Sequence, residues 1–108
     1  MLNQTVLVGR LVRDPELYET ESGNKVTNIT LAVPRSYKNS EGVYDTDFIN
    51  CVLWKGVAES ATEYCHKGDL LGIKGRIQTR TVELDDESKK NITEGGAEKV
   101  TFLSSKKD

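Results

Sequence analysis

The chain has 108 residues, of which 36% are hydrophobic and 30% are charged, and its formal net charge is −2. This length and composition predict one globular domain with a single core. They exclude a membrane span, which needs a run of roughly 18 apolar residues, and the N-terminus lacks the basic and apolar parts of an export signal. Two cysteines without such a signal predict a cytoplasmic protein with free thiols.

Strand patterns begin near the N-terminus. Residues Thr5 to Val12 are apolar and β-branched and predict a first strand, in which Gly9 predicts a bulge or a sharp barrel bend. Val26 to Val33 alternates between two faces, as a half-buried second strand does. Pro34 is predicted to end this strand, and Lys38 to Tyr44 is predicted to form a flexible hairpin loop.

The third predicted strand, Asp47 to Trp54, carries two sets of side chains on opposite faces. One face holds Ile49, Cys51 and Leu53, and the other holds Phe48, Asn50, Val52 and Trp54. If the first set faces the core, Phe48 and Trp54 cannot also do so without a bulge. The alternative is that both aromatic residues are ordinary core residues, as aromatic side chains usually are.

A helix and two more strands complete the pattern. Val57 to Lys67 has helical spacing of apolar residues, and Gly68 is predicted to terminate it. The fourth strand, Leu70 to Val82, is followed by an acidic hairpin tip at Asp85 to Asn91 and a last strand ending at residues 100–103. The core side of the fourth strand holds Leu71, Ile73 and Ile77, and its polar side holds Lys74, Arg76, Gln78, Arg80 and Val82. Three strands, a helix and two strands predict an all-β protein with one short helix, the OB-fold five-stranded Greek-key β-barrel.

Aromatic and basic residues share the polar side of this predicted barrel. Holding a nucleotide chain without reading its sequence needs cations along the backbone and aromatic faces on which bases stack. The predicted stacking residues are Tyr37, Phe48 and Trp54. The predicted phosphate-contacting residues are Arg10, Arg35, Lys38, Lys55, Lys74, Arg76 and Arg80. The alternative is that the basic stripe is an ordinary solvated face.

Net charge does not decide between these interpretations. A value of −2 argues mildly against a nucleic-acid partner, because such domains are often basic. Eight of the 17 acidic residues, however, fall in two short stretches, residues 14–21 and 83–87. These acids can be separated from a basic face, and binding depends on the field at that face.

A series of motifs runs through residues 1–103. They are Leu7-Val8-Gly9-Arg10-Leu11, Asp14-Pro15-Glu16, Asn28-Ile29-Thr30-Leu31-Ala32-Val33, Asp47 to Trp54, Lys67-Gly68-Asp69, and Gly75-Arg76-Ile77-Gln78-Thr79-Arg80. In these motifs the sequence resembles the bacterial single-stranded-DNA-binding proteins. The resemblance implies an OB-fold domain over residues 1–103, a homotetramer, and DNA wrapped around it. It also implies base stacking by Tyr37, Phe48 and Trp54, and backbone contacts by Arg10, Lys74, Arg76 and Arg80.

The sequence departs from that family at several positions. Val82 stands where a further stacking aromatic is usual, and Leu17-Tyr18-Glu19 stands where a basic residue and an aromatic are usual. Gly95 and Gly96 replace two β-branched residues, which is expected to weaken or bulge the last strand. Residues 104–108 are expected to be a C-terminal remnant without the usual acidic tail. Either a tail was removed or the protein is a tail-less paralogue, with reduced recruitment of replication and repair proteins.

Catalytic and metal sites have little support in the sequence. The single histidine, His66, is expected to be an exposed helical residue. Cys51, Cys65 and His66 lack paired ligand spacing and a fourth ligand for zinc, and residues 85–87 are expected to be a solvated hairpin tip. We therefore predict no enzyme activity, cofactor, metal or small-molecule substrate.

Taken together, these patterns predict sequence-independent binding and protection of single-stranded DNA in replication, recombination and repair. The protein is expected to be a homo-oligomer, a tetramer, in the cytoplasm and associated with the nucleoid. The alternative is an OB-fold protein-interaction module of a replication-restart or competence assembly, because OB barrels serve several functions. An RNA-binding OB protein is a third interpretation.

Overall fold

The computed structural model describes residues 1–105, which form six strands and one helix. The elements are β1 (Thr5–Leu11), β2 (Tyr18–Glu19), β3 (Lys25–Lys38), β4 (Tyr44–Trp54), α1 (Lys55–Tyr64), β5 (Leu70–Glu83) and β6 (Lys89–Ser104). No helix in this range is long and apolar enough to cross a membrane. Of the predicted C-terminal remnant, residues 104–108, the last three lie outside the described residues.

Five of the strands close into one mixed barrel. The strand order is β1-β5-β6-β4-β3-β2, and a further pairing of β1 with β3 closes the ring. The long strands pair antiparallel except β4 and β6, which run parallel. This architecture confirms the predicted OB-fold. The two-residue strand β2 pairs with the start of β3 and was not predicted.

Alternate residues of the strands fill the barrel interior. Leu31, Leu53 and Leu71 are fully buried, and each such side chain contributes roughly 1.5–3 kcal/mol relative to exposure. Ala58 and Ala61 of α1 pack into the same cluster. Their small side chains let the helix approach the barrel closely.

Gly9 lies where β1 changes partners. Residues 5–10 of β1 pair with β5, whereas Arg10 and Leu11 pair with β3. A Cβ on Gly9 would lie 2.7 Å from the carbonyl oxygen of Ala32 and 2.9 Å from Cγ2 of Val33. The close approach of β1 to β3 therefore requires glycine, as expected for a barrel bend.

The predicted end of the second strand at Pro34 is wrong. Strand β3 continues to Lys38, with a register irregularity between those two residues. At Pro34 the strand has a partner on one side only, β4, and proline is tolerated in such an edge position. The predicted flexible loop is a short turn, because Lys38 pairs with Tyr44 and the Asn39 side chain accepts hydrogen bonds from the backbone of Glu41 and Val43.

The predicted end of the helix at Lys67 is also wrong, because α1 ends at Tyr64. The carboxylate of Asp69 accepts a hydrogen bond from the His66 backbone N–H at 2.8 Å. In return, the His66 carbonyl accepts one from the Asp69 N–H at 3.0 Å. This compact turn replaces the last predicted helical turn, and His66 is exposed as expected.

The predicted core position of Ile77 is wrong, because this side chain is 44% exposed. Strand β1 pairs with β5 only as far as Thr5 opposite Gly75. Beyond that point the Asn3 side chain takes the place of a neighbouring strand. It donates to the Ile77 carbonyl at 2.7 Å and accepts from the Ile77 N–H at 2.9 Å.

The irregularity expected at Gly95 and Gly96 occurs slightly later in the chain. Strand β6 passes through both glycines without interruption. Its register with β5 shifts where Lys74 pairs with Lys99 and Gly75 pairs with Ala97. The bulge is therefore in β6, just after the glycine pair.

Candidate nucleic-acid interface

The strand register joins the predicted aromatic and basic residues on one sheet face. Phe48, Val52 and Trp54 share a face of β4, because side chains alternate along a strand. Val52 pairs with Gly96 of β6, and Gly96 pairs with Arg76 of β5. Paired residues point to the same face. We call this face, formed by β3, β4, β6 and β5 and directed away from the core, the outer face.

Two aromatic side chains protrude from the outer face. Phe48 is 65% exposed and Trp54 is 44% exposed, whereas Cys51 and Leu53 of the same strand are almost fully buried. The predicted alternation of β4 is therefore confirmed. Exposed aromatic rings on a sheet are the arrangement on which single-stranded bases stack.

Tyr37 does not join this pair through the strand register. Its side chain is exposed, but it lies between Pro34 and Lys38, where the pairing of β3 with β4 is interrupted. Tyr37 therefore stands apart from the regular part of the outer face, near the turn between β3 and β4.

A groove lies in the outer face beside Trp54. Val52 and Glu94 belong to this face, yet each is only 6% exposed, so the twisted sheet is concave there. The cavity has a volume of about 320 Å³. Its lining residues are Val26, Asn28, Val52, Trp54, Gln78, Arg80 and Glu94. We call this cavity the Trp54 groove.

Two predicted phosphate-contacting arginines are engaged in ion pairs. Arg80 donates from Nε to Oε1 of Glu94, whose side chain is only 4% exposed. Arg35 reaches both carboxylate oxygens of Asp47, at 3.0 and 3.2 Å. The Arg35 guanidinium holds the pKa of Asp47 below its ordinary value, because its hydrogen bonds favour the ionised carboxylate.

Two further predicted cations have neutral partners. Arg10 donates from Nη1 to the carbonyl of Gly68 at 2.9 Å. The Lys38 ammonium lies 5.7 Å from the ring centroid of Tyr44, a cation–π contact at the turn. Both residues are exposed to solvent.

The remaining predicted cations are Lys55, Lys74 and Arg76. All three are exposed, and within residues 1–105 no ion pair involves them. Arg76 belongs to the outer face by its pairing with Gly96. Among the predicted cations, these three are therefore the ones whose side chains have no hydrogen-bond, ion-pair or cation–π partner in that range.

Three polar residues of the groove, Asn28, Gln78 and Glu94, were not predicted as site residues. Asn28 and Gln78 lie on the polar sides of their strands, so their alternation with apolar residues could have indicated them. Glu94 carries no such signal. It is buried on the outer face because β6 joins β4 at the pair Cys51–Gly95, a contact between residues far apart in the sequence.

Neither cysteine is placed for metal or redox chemistry. Cys51 and Cys65 are free and buried. Burial, and to a smaller extent the charge of Glu94, raises the pKa of Cys51 to about 11, so its thiol stays protonated near neutral pH. Within the described residues no cluster of three histidine, cysteine or acidic side chains could hold a metal ion.

A second and larger cavity lies between α1 and β6, away from the outer face. Its volume is about 680 Å³. It is lined mainly by apolar parts of residues such as Val57, Tyr64, Val100 and Phe102. None of the predicted stacking or phosphate-contacting residues lines it.

Comparison with known proteins identifies one family. A family model described as "Single-strand binding protein family" matches residues 2–103. The chain is 46% identical over 106 residues to Single-stranded DNA-binding protein B of Bacillus subtilis, covering 98% of this chain and 94% of that protein.

Two further relatives extend the comparison. The Single-stranded DNA-binding protein of Halalkalibacterium halodurans is 50% identical over 103 residues, covering 95% of this chain and 61% of that protein. Single-stranded DNA-binding protein 3 of Listeria innocua is 47% identical over 108 residues, covering 100% of this chain and 68% of that protein. The chain thus spans nearly all of the first relative and about two thirds of the other two.

Proposed function

This chain belongs to the single-strand binding protein family, and we propose that it binds and protects single-stranded DNA without sequence preference. Family membership also indicates a binding protein and not an enzyme. The observation that carries the proposal is the outer face, where Phe48 and Trp54 are exposed, Trp54 lines a groove and Arg76 lies on the same face. Stacking platforms beside cations are what sequence-independent binding of a single strand requires.

In this mechanism binding uses two kinds of contact, base stacking and phosphate neutralisation. Phe48 and Trp54 stack bases, and Tyr37 adds a third ring where the strand passes the β3–β4 turn. The cations that have no hydrogen-bond, ion-pair or cation–π partner for their side chains in the described residues, Lys55, Lys74 and Arg76, neutralise phosphates. Arg10, Arg35 and Lys38 contribute where a phosphate can compete with their present partners. Each neutralised phosphate steepens the loss of affinity with salt by a slope of about 0.7.

The protein is proposed to act as a homo-oligomer, a tetramer. On the outside of β1, Val6 is 69% exposed and Val8 is 47% exposed. Val8 pairs with Gly72 of β5, over which the Leu103 side chain lies. Exposed apolar side chains on a sheet mark an interaction surface, and a second copy of the same chain provides a matching face.

The cellular role follows from the same activity. Covering unpaired DNA serves replication, recombination and repair, in the cytoplasm at the nucleoid. Residues 1–103 are proposed as the DNA-binding domain.

The double variant Phe48→Ala/Trp54→Ala tests the proposal. We expect it to lose at least about tenfold in affinity for oligo-dT, because base stacking is worth roughly 1–3 kcal/mol per base. The control is Tyr64→Ala, which removes an equally exposed ring from α1 on the rim of the other cavity. Unchanged DNA affinity in the folded double variant would contradict the proposal and favour the protein-interaction module. Stronger binding of oligo-U than of oligo-dT would favour the RNA alternative.

A further inference from the structure

We infer that Arg80, held in place by Glu94, contacts a DNA base and that Arg80 and Trp54 form the two walls of a base-binding slot. The inference rests on the proposed function, since it requires single-stranded DNA in the Trp54 groove. It gives Arg80 a role different from the predicted phosphate contact and gives Glu94 the role of a positioning residue.

Separating Arg80 from Glu94 is energetically unfavourable. The Glu94 carboxylate is 4% exposed and accepts the hydrogen bond from Arg80 Nε. Removing one partner of such a pair leaves a buried charge uncompensated, which is strongly unfavourable. A phosphate that drew Arg80 away would have to offset this loss, whereas a base that meets Arg80 where it stands would not.

The Trp54 groove is also unfavourable for an anion. Its lining includes the Glu94 carboxylate and the apolar side chains of Val26, Val52 and Trp54. A phosphate placed there would approach a buried negative charge and lose its hydration to apolar walls. A neutral, flat base would instead gain contact with those walls.

The size and the walls of the Trp54 groove fit a base. A volume of about 320 Å³ is at the small end for a ligand site, as suits one ring system. Trp54 offers one face, and the planar guanidinium of Arg80, which is 53% exposed, offers another that stacks on aromatic rings. The amides of Asn28 and Gln78 each carry donors and acceptors, so they can meet the edge of any base.

This slot also accounts for one position at which the sequence departs from the resembling family. Val82 stands where the resembling family has a further stacking aromatic. Arg80 lies two residues before it on the same side of β5. A guanidinium fixed by Glu94 supplies a flat stacking surface close to the position from which the ring is missing.

Arg80→Lys is the principal test, because it keeps the charge beside Glu94 and removes the flat guanidinium. We expect this variant to bind oligo-dT about tenfold more weakly than the wild type at every salt concentration, with an unchanged salt slope. Arg76→Lys on the same strand makes the same exchange at a proposed phosphate contact, where the charge that matters is kept, so its loss of affinity is expected to be clearly smaller than that of Arg80→Lys. Wild-type affinity in Arg80→Lys would overturn the inference.

The salt dependence of a charge-balanced variant gives a second, independent test. Arg80→Gln/Glu94→Gln removes one charge of each sign and leaves no buried ion. We expect weaker binding of oligo-dT with the wild-type salt slope, whereas Arg76→Gln should flatten the slope by about 0.7. A slope flattened by the same amount in the double variant would show that Arg80 contacts a phosphate and would overturn the inference.

Glu94→Gln alone tests the positioning role. Removing a negative charge from a groove that holds a polyanion should tighten binding by electrostatics alone. We expect the opposite, a loss of about threefold to tenfold, because Arg80 is released from its position. Tighter binding would overturn the role of Glu94. Failure of the wild-type chain to bind oligo-dT would overturn the proposed function itself, so the two failures are distinguishable.

Discussion

Gly75 of β5 lies so close to β6 that a Cβ placed on it would stand 2.0 Å from the carbonyl oxygen of Gly96. Gly96 also pairs with Val52 of β4, which lines the Trp54 groove. Strands β5 and β6 therefore approach each other here without room for a side chain on Gly75. The close pairing of these two strands of the barrel depends on this glycine.

Gly75→Ala is expected to destabilise the protein by at least about 2 kcal/mol, because the atoms it meets are backbone atoms that cannot move aside alone. Urea denaturation measures the change. Gly56→Ala in α1 is the control: a Cβ there meets nothing within 4 Å, so stability should be unchanged or slightly higher. Equal stability of Gly75→Ala and the wild type would contradict the close contact.

Thr27→Val is expected to stabilise the protein by about 1 kcal/mol. The Thr27 hydroxyl is buried and has no hydrogen-bond partner among the described residues. An apolar side chain of similar shape therefore removes the free-energy cost of burying an unpaired hydroxyl. Thr30→Val is the matched control on the same strand. The Thr30 hydroxyl accepts from Arg13 at 3.1 Å and donates to Asn50 at 2.9 Å, so its loss should destabilise. Thermal unfolding of both variants tests the contrast, and a destabilised Thr27→Val would contradict it.

Alkaline solution is expected to destabilise the fold through Cys51. Its pKa is raised from 9.0 to about 11, chiefly by burial, so the unfolded chain loses this proton more readily than the folded one. The stabilisation that the protonated Cys51 thiol gives to the folded state is complete below pH 9.0, the pKa of the unfolded chain. It is lost as the pH rises through about 11, the pKa of the folded protein. Urea titrations across this range should show a steeper decline for the wild type than for Cys51→Ala. Parallel declines would contradict the burial of the thiol.

Val8→Glu is expected to dissociate the oligomer. A carboxylate at this position would face its own copy across a symmetric sheet contact and would lose its hydration there. Sedimentation velocity measures the mass of the assembly. Val43→Glu is the control, because Val43 is exposed to a similar degree in the β3–β4 turn and should leave the mass unchanged. An unchanged mass in Val8→Glu would contradict association through β1.

The sequence predicted the parts of the fold that depend on local periodicity. The alternation along β4 placed Phe48 and Trp54 away from the core because the side-chain period of a strand is two. Features set by neighbouring strands were not predictable in this way. Strand β3 continues past Pro34 because one of its edges is free there, and Ile77 is exposed because β1 does not extend beside it.

The candidate site was likewise predictable only in the features that depend on the local sequence. Charge and aromatic content indicated its aromatic residues and most of its cations. The partners of those cations were not visible, because Arg80 and Glu94 are brought together only by the pairing of β5 with β6. The burial of Glu94 depends further on the parallel contact between β4 and β6.

The most direct measurement is a titration of the protein with oligo-dT at low and moderate salt, following the fluorescence of its only tryptophan, Trp54. Stacking of a base on the exposed indole should quench the signal strongly, and the affinity should fall as salt rises. That result would support binding by stacking and phosphate neutralisation on the outer face. An unchanged signal, with no binding in a gel-shift control, would contradict the account.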